Sequence, residues 1–164
     1  NADVVFCSDL PDADAVREAL STAASGRLVL AVVNTLSAVD TVAWMVDRFP
    51  PHQQATTRSL LGRVLRGVLC QRLVDRADGR GRVAVVEALV GTHKVRDAIL
   101  EGVDSNGLER LMSEGEYHGM ATFDQALFQL FTDEYVSLDE ALERATHPED
   151  FRISVQQAGL ATLR

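Results

Sequence analysis

Apolar residues in this chain follow two rhythms, unbroken runs and recurrences every three or four positions, and their alternation marks out the elements. Asp3-Val-Val-Phe-Cys7 is an unbroken run and predicts a short buried strand. From Asp12 to Ala24 the apolar positions Val16, Leu20 and Ala23/Ala24 share one face of a helix. Asp12 is placed to cap it, Asp14 lies in its first turn, and Ser25-Gly26 stops it. Leu28 to Val33 is a second apolar strand. Strand, helix and strand within about 30 residues have the size of a parallel crossover unit. Ser37-Ala-Val-Asp40 then opens a helix to about Phe49, broken at Pro50-Pro51, and Pro51 can serve as the first residue of the next helix.

The rhythm changes after Leu65. Gly67–Val74 and Arg82–Leu89 are rich in β-branched residues and flank Asp78-Gly79, which predicts an antiparallel hairpin. From Thr92 onward the pattern is helical. Helices are expected over about Val95–Glu101 and Asn106–Ser113. Two more start at the capping boxes Thr122-Phe-Asp-Gln125 and Ser137-Leu-Asp-Glu140, and a last one opens at His147-Pro148. The expected fold class is therefore α/β: a partial parallel sheet and an antiparallel hairpin over residues 1–91, then a helical region over residues 92–164 of the same domain.

Composition narrows the function. The chain has 164 residues, 46% apolar and 24% charged, enough for one folded domain. Its longest apolar run, Leu28–Val33, is too short to span a bilayer, and no signal peptide is evident. The net charge of −8 argues against a nucleic-acid partner. Charge is uneven: residues 1–47 carry −5, residues 48–96 carry +7 and residues 97–164 carry −10. Solvated helix faces explain this as well as a basic belt meeting an anion or a neighbouring copy. Cys7 and Cys70 form no metal-ligand pair and read as inert core in a cytoplasmic protein. His52, His93, His118 and His147 are not spaced as ligands, so no metal site is expected. Asn1-Ala2 reads as the remnant of a tag, and the immediate strand suggests a piece of a longer protein.

Candidate chemistry lies at strand ends. Ser8-Asp9-Leu-Pro-Asp12 follows the first strand and Asn34-Thr35 follows the second, and open α/β sheets bind ligands at that edge. A carboxylate there can orient a water; the amide and hydroxyl suit a phosphate oxygen or a polarised water. Each group also reads as a loop or helix cap. No G-x-x-x-x-G-K-[ST] is present, so the chain itself holds no cradle for a triphosphate.

Several stretches, in order, resemble the secretion ATPases of type II secretion and type IV pili, most closely the retraction-type (PilT-like) members of twitching motility. Asp3–Asp12 is similar to that family's Walker B segment, and Gly26-Arg-Leu-Val-Leu-Ala-Val-Val-Asn-Thr35 to its His box. Leu65–Leu73, Asp78–Ala84 and Gly119-Met-Ala-Thr-Phe-Asp-Gln125 follow as in the family. Lys94-Val-Arg-Asp-Ala-Ile99 resembles a segment tied to retraction-type members. The resemblance implies the C-terminal part of a RecA-like P-loop domain. It also implies a cytoplasmic hexameric ring that hydrolyses ATP with Mg²⁺ and works with an inner-membrane platform protein. The P-loop and a PAS-like domain would lie upstream, so no cofactor is expected on this piece.

The departures fall where the chemistry sits. The family's catalytic Glu falls on Asp9, its preceding Gly on Ser8 and a following Arg on Pro11; the two His-box histidines fall on Arg27 and Asn34. By resemblance Asp9 and Asn34 take the catalytic positions, Ser8, Arg27 and Thr35 the cofactor-binding ones, and Arg96 a partner-facing one. A degenerate, non-hydrolysing ring or regulatory subunit is the alternative. An independent receiver-like binding module is a third reading, from another class.

Overall fold

The structure, a computed structural model, describes residues 2–160. Asn1, half of the expected tag remnant, and residues 161–164 of the expected helical region lie outside the described residues. Strand β1 (Val4–Cys7) leads through helix α1 (Ala13–Ala24) to β2 (Leu28–Ala31), and β1 and β2 pair in parallel, Val4 opposite Leu28 and Cys7 opposite Ala31. This is the expected crossover, although β2 ends two residues before Val33. Helices α2 (Ala38–Asp47) and α3 (Pro51–Val64) follow. The hairpin is β3 (Gly67–Asp75) against β4 (Arg82–Val90), antiparallel along its whole length. Helices α4 (His93–Glu101), α5 (Ser105–Ser113), α6 (Phe123–Thr132), α7 (Leu138–Arg144) and α8 (Pro148–Gln157) complete the order, with a 3-10 turn at Glu116–His118 that the periodicity did not reveal.

Local chemistry sets most boundaries. The Asp12, Ser37, Thr92, Asp104, Thr122 and Ser137 side chains each accept a backbone N–H from the first turn of the helix they precede. Thr122 and Gln125 form the complete reciprocal box. Ser137 and Glu140 do not. The Glu140 carboxylate instead accepts from the Asp75 backbone at 3.1 Å and from Arg144 at 3.0 Å, tying α7 to the end of β3. At the hairpin turn, Gly79 and Gly81 adopt φ of 68° and 88°, left-handed values that favour glycine. Asp78 takes two hydrogen bonds from the Arg76 guanidinium and one from the Arg80 backbone.

Two hydrophobic cores share the hairpin. The first joins Val16 and Leu20 of α1 with Val42, Leu61, Leu89, Val95, Ile99 and Met112. The second joins Val74 and Val85 with Phe123, Leu127, Phe131, Phe151 and Val155. Neither core ends at residue 92, so the strand-bearing and helical regions are packed into each other. The segment before α6 is stitched to the edge of β4 by two backbone bonds between Ala88 and Ala121, of 2.9 and 3.1 Å. Cys7 and Cys70, expected in the core, are half-buried at the margin of the first. Trp44 packs there too, beneath the Arg48 guanidinium at 4.3 Å.

The burial expected of the first strands is another departure. The first strands are not buried on both faces: Val4 and Phe6 remain 53% and 67% exposed, and Leu28, Leu30 and Val32 lie open with them. Among the described residues α1 covers one face of this two-stranded sheet, through Cys7 and Val29, and nothing covers the other. Apolarity reports that a strand suits burial. It does not report whether the covering element is in the same stretch of chain.

Two local features make expected outcomes. A Cβ at Gly91 would stand 2.2 Å from the Leu65 carbonyl oxygen, where only glycine allows the two segments to approach. Gly91→Ala is expected to cost about 2 kcal/mol and lower the thermal midpoint by roughly 4–8 °C in a scanning calorimeter; an unchanged midpoint refutes the close approach. The Arg76 hydrogen bonds, and next the Arg80 backbone, hold the Asp78 carboxyl down at about 2. A depressed carboxyl contributes stability above its unfolded value and loses it as pH falls through the folded one. Carboxyl-detected NMR should therefore place Asp78 near 2, and Arg76→Ala should return it toward the usual value near 3.9.

Candidate functional site

The parallel pairing of β1 and β2 decides which loops meet. Cys7 stands opposite Ala31, and the Val32 N–H donates to the Cys7 carbonyl at 2.9 Å. Ser8-Asp9 and Val33-Asn34-Thr35 therefore leave the sheet at the same edge, as the strand-end argument expected. Behind Asp9, Leu10 is buried in the first core and anchors the loop, while Ser8 and Asp9 stay exposed. The Asp9 Oδ1 accepts from the Leu10 N–H at 2.8 Å, which orients the carboxylate. Asp12 is committed to capping α1, and the Pro11 carbonyl accepts from Arg48 at 3.1 Å. Of the two acids in this loop, Asp9 is thus the one available for chemistry. A receiver-like acidic pair has no support here, because Asp12 is drawn into the helix cap.

On the neighbouring loop Asn34 is exposed and Thr35 half-buried. The Thr35 and Thr41 hydroxyls lie 2.6 Å apart, and the Thr41 hydroxyl donates to the Ser37 carbonyl at 2.8 Å. With the Thr41 proton so placed, Thr35 is the donor of the pair. Its lone pairs are what remain to face outward, so it suits a water or a cation and not the donation of a hydrogen bond to phosphate. Asn34 supplies both an amide donor and a carbonyl acceptor but cannot take up a proton.

Arg27 does not join this group. It precedes β2, at the end opposite Asn34, where its guanidinium donates to Ser25 Oγ at 2.7 Å. Six residues, 28–33, separate it from Asn34, on the order of 20 Å if extended. Arg96 sits on α4, half-buried, with its backbone carbonyl against Gly62 of α3. Its Nε is enclosed without a hydrogen-bond partner. Among the described residues no cluster of three His, Cys, Asp or Glu side chains is arranged to hold a metal ion.

Two charged residues matter here that sequence reasoning passed over. Glu87 lies on β4 between Val85 and Leu89, on the face that alternation turns inward, and is 6% exposed. Its carboxylate accepts from the Ala38 N–H, the first residue of α2. Burial pushes its ionisation up, against the Ala38 and Phe123 backbone amides and Arg72, which favour the charged form; Glu109 acts with burial. Arg72 donates to the Leu36 carbonyl at 3.0 Å and lies 4.0 Å over the Phe123 ring. The available signal was a lone acid at an inward strand position, where charge is rare unless partnered. Burial and the nearby Glu87 raise the Cys70 thiol, which keeps it protonated and unreactive.

A separate groove of about 920 Å³ runs between α5, α6 and α8, lined by Glu109, Asp124, Phe128, His147 and Phe151 among others. It includes none of the residues at the β1–β2 edge. His147, expected at a helix start, lies there and pairs with Glu109 at 3.2 Å.

No protein-family model matches the chain. It is 34% identical over 149 residues to the type IV pilus retraction ATPase PilT of Pseudomonas aeruginosa, covering 91% of this chain and 43% of that one. Against the type IV pilus ATPase PilU of the same organism the identity is 30% over 154 residues, 94% of this chain and 40% of the relative. A crystal structure of the pilus retraction motor PilT with bound ADP superposes with a TM-score of 0.78 at 32% identity, over 90% of this chain and 41% of that one. The chain thus spans about two fifths of the length of the relatives it matches. Over nearly all of its described length, the chain is homologous to the C-terminal part of the type IV pilus and secretion ATPases, with the RecA-like P-loop ATPase fold of that region.

Proposed function

We propose that this chain is part of a PilT-like motor ATPase, a hexameric ring that powers type IV pilus retraction and twitching motility by hydrolysing ATP. The observation that carries the proposal is the convergence of Ser8-Asp9 and Asn34-Thr35 on one sheet edge, in a chain homologous to a motor that binds ADP. Asp9 would accept a hydrogen bond from the attacking water and orient it. Asn34 would hold that water or a phosphate oxygen without moving a proton, and the outward lone pairs of Thr35, with Ser8 beside Asp9, would face a hydrated cation. The carboxylate and the acceptor hydroxyl fit Mg²⁺ with ATP in part; Arg27, at the far end of β2, would reach nucleotide only from another side. Mg²⁺ supplies charge neutralisation on the transferring phosphoryl group. The phosphate cradle must come from residues outside this sequence, since no P-loop motif is present.

The open apolar face of β1 and β2 supports a larger packed unit around this chain. We place the assembly in the cytoplasm, against an inner-membrane platform protein that Arg96 would face. Among the described residues no helix is long and apolar enough to cross a membrane. One observation favours a second reading. Asp9 is a methylene shorter than glutamate and Asn34 cannot titrate, which suits a ring or regulatory subunit that does not hydrolyse ATP.

The test is Mg²⁺-dependent ATP turnover by the longer protein that contains this chain. Turnover is expected, with Asp9→Ala lowering kcat by roughly 10²-fold or more at little change in KM, and Asp9→Glu raising it. No turnover in an assembled ring sinks the motor reading in favour of the second. The 164-residue chain by itself should turn over no ATP; saturable turnover that Asp9→Ala abolishes would overturn the need for an outside cradle.

A further inference from the structure

One buried carboxylate stands where the hairpin meets the starts of two helices. Ala38 is the first residue of α2 and Phe123 the first of α6, and the backbone amides of both favour the ionised Glu87. Ser37 and Thr122 cap these helices by accepting from Asp40 and Gln125, each two residues further in, and so leave the leading N–H groups to another acceptor. Glu87 accepts from the Ala38 N–H and gains from the positive end of α2, while its strand neighbour Ala88 exchanges backbone bonds with Ala121, two residues before α6. A second link runs beside the first. Arg72, one strand away, holds the Leu36 carbonyl at 3.0 Å and covers the Phe123 ring at 4.0 Å. The loop over residues 34–37 and the first turn of α6 are therefore tied twice, and both ties pass through the hairpin. An apolar side chain at position 87 would satisfy the inward alternation between Val85 and Leu89 at no desolvation cost, so packing does not account for an acid there.

We propose that Glu87 is a positioning residue that couples the 34–37 loop to the N-terminus of α6, so that a displacement of the loop is carried into the C-terminal helices. The coupling stands on these contacts alone. That the loop senses nucleotide rests on the function proposed above. In that case Glu87 would convert occupancy of the β1–β2 edge into movement of α6 and the segment after it.

A double-mutant cycle in the 164-residue chain tests the coupling, with amide hydrogen exchange of Ala126 and Leu127 in α6 as the readout. Ser37→Ala loosens the start of α2 without touching α6. It should speed exchange at those two amides about five-fold in the native sequence. Glu87→Gln keeps an acceptor and should preserve that response, whereas Glu87→Met, of similar volume but without an acceptor, should cut it to less than two-fold. An unaltered α6 on Ser37→Ala, or an equal response with Glu87→Met, overturns the proposal. If Glu87→Met does not fold, Arg72→Met removes the parallel tie, and an undiminished response there overturns the two-tie arrangement. In the longer protein, Glu87→Gln should retain kcat and Arg72→Met lower it with KM within about two-fold. Absence of ATP turnover in the native protein would defeat the motor reading while the exchange cycle still decides the coupling.

Discussion

A carboxylate buried between two hydrophobic cores is the constraint around which the rest of this structure is arranged. Val85 belongs to one core and Leu89 to the other, and Glu87 occupies the strand position between them. Burial pushes its ionisation up, and backbone amides at the starts of two helices oppose that shift in part. Such a group tolerates little displacement of α2, because withdrawing the Ala38 donor leaves a buried carboxyl oxygen unsatisfied. The cores on each side can exchange methyl groups with modest consequence. The junction cannot exchange donors so freely, and it fixes how α2 and α6 are placed against the hairpin.

The arrangement also explains why the strand-bearing and helical regions are not separable. The hairpin supplies Leu89 to one core and Val74 and Val85 to the other, and its outer edge binds Ala121 through the backbone. The Gly91 turn lets the chain leave β4 in contact with the Leu65 carbonyl. The PilT crystal structure superposes on 90% of this chain at a TM-score of 0.78.

What the sequence made legible was short-range. Asp12, Ser37, Thr122 and Pro51 signal helix starts within four residues of themselves, and Asp78-Gly79 signals its own turn. Those elements appear where the spacing placed them. The reciprocal box at Ser137 failed because a distant residue, Asp75, claims the Glu140 carboxylate. The placement of Asp9 and Asn34 at one sheet edge was legible because a parallel crossover dictates it. The stranding of Arg27 at the other end of β2 was equally implied by strand direction, but the resemblance grouped it with Asn34 by motif and obscured the geometry. Glu87 was hidden in an apolar run, where its meaning depends on two helix starts that lie 49 and 36 residues away in the chain.

The open face of β1 and β2 has a thermodynamic consequence. Two parallel strands with a helix on one side only are close to the limit of what holds together in water. The opening free energy of this sheet is then set from outside, by whatever rests on Val4, Phe6, Leu28 and Leu30. Protection of the backbone at Val5 and Val29 becomes a gauge of occupancy. Because Asp9 and Asn34 are carried on the ends of these same strands, the definition of the site's geometry is borrowed from its surroundings, and the site is only as rigid as the contact that covers the sheet behind it.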